Sequence, residues 1–149
     1  MENYQTEVLK TLSGSETYEK HISTHHLIHT KGEYLHYAGQ LEIMKKQLAY
    51  GKYLQPDLPH DPLNLTPDEV DILHAKLGIA GESGEVIEAT SAEEVKKEVG
   101  DLLWYVAVLL HKYGLDFPEV MQGNIDKLRE RYSTGKFTRE EALNRRDMA

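Results

Sequence analysis

Residues 66–105 read TPDEVDILHAKLGIAGESGEVIEATSAEEVKKEVGDLLWY, two helical segments in series that open with the same signal. Thr66, Pro67 and Glu69 form a capping box with proline at the first helical position, and Ser91 with Glu94 repeats the box. The first segment is expected to run as a helix to about Ala89, with Val70, Leu73, Leu77, Ala80 and Ile87 on one face. Glu82 and Glu85 point away from the centre of that face, and His74 and Gly78 fall on their side. The second segment aligns Val95, Val99, Leu102, Val106, Leu109 and Leu110 and stops at Gly114, so it should be a central, buried helix. Glu98 and Asp101 border its apolar stripe, at the rim of a helix interface.

Working outward, Asp116 caps a further long helix over FPEVMQGNIDKLRERY, followed by a turn and a weakly helical arm, STGKFTREEALNRRDMA. Upstream, NYQTEVLKTL has the spacing of a short helix ending near Ser13 and Gly14. A second helix is expected from about Glu33 to Tyr50, with Leu35, Ala38, Leu41, Met44 and Leu48 as its apolar stripe. Residues 51–65 carry three prolines and read as loop. No strand pattern and no internal repeat is visible. The expected fold class is all-α, a bundle whose short connections favour antiparallel neighbours.

With 149 residues and 40% hydrophobic content the sequence reads as a single globular domain. It has no apolar run long enough for a membrane span, no leader sequence and no cysteine, which together suggest the cytoplasm. Any metal must then be held by oxygen or imidazole. The net charge of −8 argues against a binder of nucleic-acid polymers. The basic residues nevertheless gather late: Lys127, Arg129, Arg131, Lys136, Arg139, Arg145 and Arg146 follow the acidic clusters. An acidic middle and a basic end suit a small phosphorylated ligand.

Two antiparallel helices joined near Thr90 would bring Glu82 and Glu85 opposite Glu98 and Asp101. Four carboxylates at one seam repel each other and are costly to desolvate unless they are paired or bind a cation. All-oxygen ligation points to Mg²⁺, with Mn²⁺ as a substitute. Glu88 falls nearer the apolar face and reads as a surface or supporting residue.

ExxE, twelve intervening residues and then ExxD resembles the motif of the MazG-like, all-α nucleoside triphosphate pyrophosphohydrolases. GIAGESGEVIE, EVGDLLWYVA, NIDKLRERY, GKF and ALNRR extend the likeness over about residues 67–146, and YQTEVLKT resembles the family's first helix. The resemblance implies a domain core at about 67–132, an insertion at about 13–65 and a C-terminal arm at 133–149. The insertion and GKF are reminiscent of phage-encoded members, which would place the protein in the host cytoplasm. It further implies that Glu82, Glu85, Glu98 and Asp101 hold Mg²⁺ at the triphosphate, that a nucleoside monophosphate and pyrophosphate are released, and that the protein is a homodimer or homotetramer. Either Glu82 or Glu85 would take the proton of the attacking water. Tyr105, one turn after Asp101, can contact sugar or base, and Asn124, Lys127 and Arg131 share a helix face that could clamp phosphates. Trp104 reads as a core residue.

Other motifs compete. His21, His25 and His29 have the i, i+4, i+8 spacing of a zinc or nickel site, although the surrounding Ser, Thr and Gly weaken the helix it needs. His60–Asp61 invites an HD-type metallophosphohydrolase reading, but Pro59 and Pro62 put it in a loop. Asp71 and His74 form one imperfect copy of a di-iron ExxH pair. A non-enzymatic dimerisation or adaptor module with a structural cation is the remaining alternative.

Overall fold

The computed structural model describes residues 2–13, 22–52, 64–145 and 147. Six helices make up the described chain: α1 (Glu2–Lys10), α2 (Thr24–Tyr50), α3 (Pro67–Glu88), α4 (Ala92–Lys112), α5 (Phe117–Arg131) and α6 (Arg139–Asn144). There is no strand among the described residues, and the protein is all-α. No described helix is long and apolar enough to cross a membrane. The chain forms two compact units, one of residues 1–22 with 115–149 and one of residues 23–114.

In the second unit, α3 packs against both α2 and α4. Both capping boxes form as the sequence requires. The Thr66 hydroxyl accepts from the Glu69 N–H while Glu69 accepts from the Thr66 N–H, and Ser91 and Glu94 do the same. Each cap is worth about 1 kcal/mol and fixes where its helix begins. Lys112, at the end of α4, reaches Asp68 at 2.9 Å and Asp71 at 2.6 Å at the start of α3, so the two helices run antiparallel.

The buried face of α3 is not the expected apolar one. Ala75, Gly78, Gly81, Glu82 and Gly84 are buried, whereas Ile87 is exposed. The reason is close approach. A Cβ at Gly78 would overlap the Tyr105 ring of α4, one at Gly81 would lie 2.6 Å from Glu42 Oε2 of α2, and one at Gly84 would lie 3.0 Å from the Ala38 Cβ. Three glycines at i, i+3 and i+6 thus make a flat ridge that admits a helix on each side and carries the neighbouring carboxylates inward.

The expected stripes of α2 and α4 need the same correction. α2 begins at Thr24, nine residues before the expected Glu33, because Ser23 caps it by accepting from the His26 N–H. Its buried residues are Ala38 and Lys45, while Met44 is exposed. On α4 the buried residues are Glu98 and Tyr105; Val95, expected inside, is exposed, and Trp104, expected in the core, is 55% exposed.

In the first unit α1 packs on α5, with the Tyr4 hydroxyl donating to Asn124 Oδ1 at 3.2 Å and Arg129 lying 3.6 Å from Glu7. The arm after α5 is ordered by Glu141. Its buried carboxylate accepts from the Ser133 N–H and hydroxyl at 3.1 and 2.6 Å and from the Thr138 hydroxyl at 3.0 Å. These bonds satisfy a charge that would otherwise be costly to bury.

Candidate active site

The seam between α3 and α4 brings three of the four expected carboxylates together. Glu82, Glu85 and Glu98 each offer an oxygen, and these atoms lie within 4.8 Å of one another. Glu82 and Glu98 are 7% and 9% exposed, while Glu85 opens to solvent. Asp101, one turn beyond Glu98, is not brought into the group: its side chain is 55% exposed and stands 3.9 Å from Lys97 Nζ.

Two ammonium groups that sequence reasoning missed complete the site. Lys97 Nζ donates to both oxygens of Glu98, at 2.8 and 3.0 Å. Lys45, from the middle of α2, is 3% exposed; its Nζ lies 3.2 Å from Glu82 Oε1 and 2.6 Å from Glu42 Oε2, and 4.7 Å from the centre of the Tyr105 ring. Burial works against the Lys45 charge, but hydrogen bonds to Glu42, Tyr105 and Glu82 outweigh it and hold its pKa above the usual ammonium range. Glu42 also pairs with Lys46 at 3.1 Å. The legible signal was the glycine ridge, which marks α3 as the face on which α2 closes. Ala38, Glu42 and Lys45, at i, i+4 and i+7, form the matching stripe.

Glu85 behaves as the strained member of the cluster. Burial, the Glu82 charge, and its hydrogen bond to and charge repulsion from Glu98 together raise its pKa, against the opposing pull of Lys97. A cation among these oxygens would relieve that repulsion, and an all-carboxylate donor set suits a hard divalent ion. An open groove lined by Glu85, Glu88, Thr90, Glu94 and Glu98 leads to the cluster from the α3–α4 turn. Glu88 is therefore a wall of the approach.

Beside the cluster, Tyr105 is 8% exposed and fixed between Gly78 and Lys45. His74 packs edge-on against Tyr50, Trp104 and Tyr105, with ring centroids 6.3, 6.4 and 5.5 Å away. Burial, and then the Lys45 charge, lower its pKa, and its buried Nε2 has no hydrogen-bond partner among the described residues. This aromatic setting, together with the ion pair of Asp71 to Lys112, is not that of a di-iron ligand pair.

The expected phosphate-clamping residues lie on α5, in the first unit. Asn124 accepts from Tyr4, Lys127 is exposed, and Arg131 forms a two-pronged ion pair with Asp147, at 2.8 and 2.5 Å. Of the histidine series, His25 and His29 stand on α2 with ring centroids 6.5 Å apart, and His29 Nδ1 lies 3.1 Å from Glu33. His21, His60 and Asp61 lie outside the described residues.

Fold and site together define an all-α protein with a carboxylate seam suited to a hard cation between two helices. Residues 72–135 match the model of the MazG nucleotide pyrophosphohydrolase domain. The match takes in all three converging glutamates and ends at Gly135, the first residue of GKF, short of ALNRR. No curated protein and no solved structure matches the chain.

Proposed function

We propose that the protein is a divalent-cation-dependent nucleoside triphosphate pyrophosphohydrolase, cleaving its substrate with water into the nucleoside monophosphate and pyrophosphate. The observation that carries this reading is the convergence of Glu82, Glu85 and Glu98 inside the MazG segment. Mg²⁺, or Mn²⁺ in its place, held by these glutamates would neutralise phosphate oxygens and lower the pKa of the attacking water. Asp101, on the same face one turn along α4, completes the ligand set by turning inward from its exposed position.

Between the two candidate bases the surroundings favour Glu85. Glu82 is tied to Lys45, whereas Glu85 is open to the groove by which water would enter. Tyr105 supports Lys45 with its ring face and borders the sugar or base. The family likeness makes Asn124, Lys127 and Arg131 candidates for phosphate binding on α5, with Arg131 exchanging its Asp147 partner for the anion. Exposed Leu103 and Trp104 on α4, with Tyr113 at its C-terminal cap, support association of copies into a dimer or tetramer.

The test is a panel of ribo- and deoxyribonucleoside triphosphates incubated with Mg²⁺, with products separated by anion exchange. Monophosphate and pyrophosphate in equal amounts from at least one nucleotide are expected. Release of orthophosphate and diphosphate nucleotide instead would reject the reaction.

A further inference from the structure

A lysine that is 3% exposed is an unusual choice for a helix interface. Desolvating an ammonium costs several kcal/mol, and replacing a buried ion pair with well-packed apolar residues is often neutral or stabilising. Packing alone therefore gives no reason for a cation at position 45. Three features of the site are arranged around it. Gly81 leaves the space that Glu42 Oε2 occupies, Gly78 leaves the space for the Tyr105 ring, and that ring turns its face to Nζ at 4.7 Å. Glu42 and Glu82, on different helices, meet at this ammonium, at 2.6 and 3.2 Å.

We infer that Lys45 is a fixed cation built into the acidic site: it fills the inner flank between Glu42 and Glu82, so that a divalent ion can enter only on the flank of Glu85 and Glu98. This rests on the proposed metal site. Lys45 is a positioning residue in this account. It holds Glu82 by one oxygen and sets how many divalent ions the cluster takes, without meeting substrate. An ammonium cannot leave with product, so the inner flank keeps its cation at every stage of turnover. Glu42 is thereby a member of the site, although it belongs to no recognised motif.

The experiment is a titration of the full chain with Mn²⁺ alone, without nucleotide, following free Mn²⁺ by electron paramagnetic resonance. Lys45→Met removes the charge and keeps much of the volume. It is expected to bind one Mn²⁺ more per chain than the native protein, the extra ion replacing the ammonium between Glu42 and Glu82. Lys45→Arg, which keeps the charge, is expected to retain the native number. Native stoichiometry and affinity in Lys45→Met would overturn the inference, as would an extra ion in Lys45→Arg. Should Lys45→Met fail to fold by circular dichroism, Glu42→Gln decides. Freed of Glu42, the ammonium pairs with Glu82 alone and Mn²⁺ affinity should fall several-fold; unchanged affinity overturns the inference. If the native protein binds no Mn²⁺ while Glu85→Gln is equally inert, the metal site itself fails and this inference falls with it. A native protein that binds Mn²⁺ indistinguishably from Lys45→Met overturns the role of Lys45 alone.

Discussion

The two flanks of the acidic seam differ in almost every physical respect. On the inner flank Glu42 and Lys45 of α2 close over Glu82 on a glycine ridge, and the two carboxylates are paired with Lys45 and Lys46. On the outer flank Glu85 and Asp101 open to solvent, and Glu85 is pushed toward protonation by its own neighbours. The inner flank is finished as folded, whereas the outer one carries unbalanced negative charge that a cation would relieve. Changes to the open carboxylates of the outer flank should remove activity and spare the fold, whereas changes to the packing beneath the inner flank should chiefly cost stability.

The largest effect expected is from Glu85→Gln, which should reduce turnover by about 10²–10⁴-fold if Glu85 is the base. Because the Glu85 charge is disfavoured in the folded chain, the same change should leave the thermal midpoint of the metal-free protein unchanged or raised. Turnover with a lowered midpoint would erase the distinction between the flanks. Asp101→Asn should be milder, raising the Mg²⁺ concentration for half-maximal activity by about tenfold, as expected for a ligand recruited from outside the cluster.

On the inner flank, Gly78→Ala drives a methyl group into the buried Tyr105 ring and should destabilise the protein by about 1–3 kcal/mol in urea unfolding. Ser91→Ala, which removes the α4 cap, should cost about 1 kcal/mol and test how much the seam depends on where α4 starts.

The smallest effect concerns pH. His74 has a pKa below its ordinary 6.5, so the unfolded chain takes up a proton before the folded one does. Its contribution to stability is complete above about pH 6.5 and is lost as the pH falls from there through the folded value. Unfolding midpoints in that window should decline with acidity in the native protein and decline less in His74→Gln.

How much of this was legible follows from the kind of signal involved. Capping residues act locally, so Thr66, Ser91 and Asp116 mark the starts of α3, α4 and α5 in the sequence alone. The pairing of ExxE with ExxD likewise pointed to Glu82, Glu85 and Glu98, since an antiparallel turn of known length brings them together. Burial was harder to read. Periodicity assigned the inside of α3 to its leucines, but a face without side chains allows closer approach than a face with them, and the glycine side won. Lys45 and Glu42 could not be found by motif because their meaning comes from a third helix. Trp104 and Val95 were misplaced for a related reason: an apolar residue on a helix signals burial against something, which need not be the same chain.

The central claim is that the carboxylate seam performs divalent-dependent cleavage between the α and β phosphates. The most direct measurement follows a nucleoside triphosphate by ³¹P nuclear magnetic resonance in the presence of Mg²⁺, for the native protein and for the double variant Glu82→Gln/Glu98→Gln. The account predicts pyrophosphate and monophosphate signals growing in step for the native protein, silenced by chelation and absent from a folded double variant. Pyrophosphate release at the native rate from that variant would contradict it.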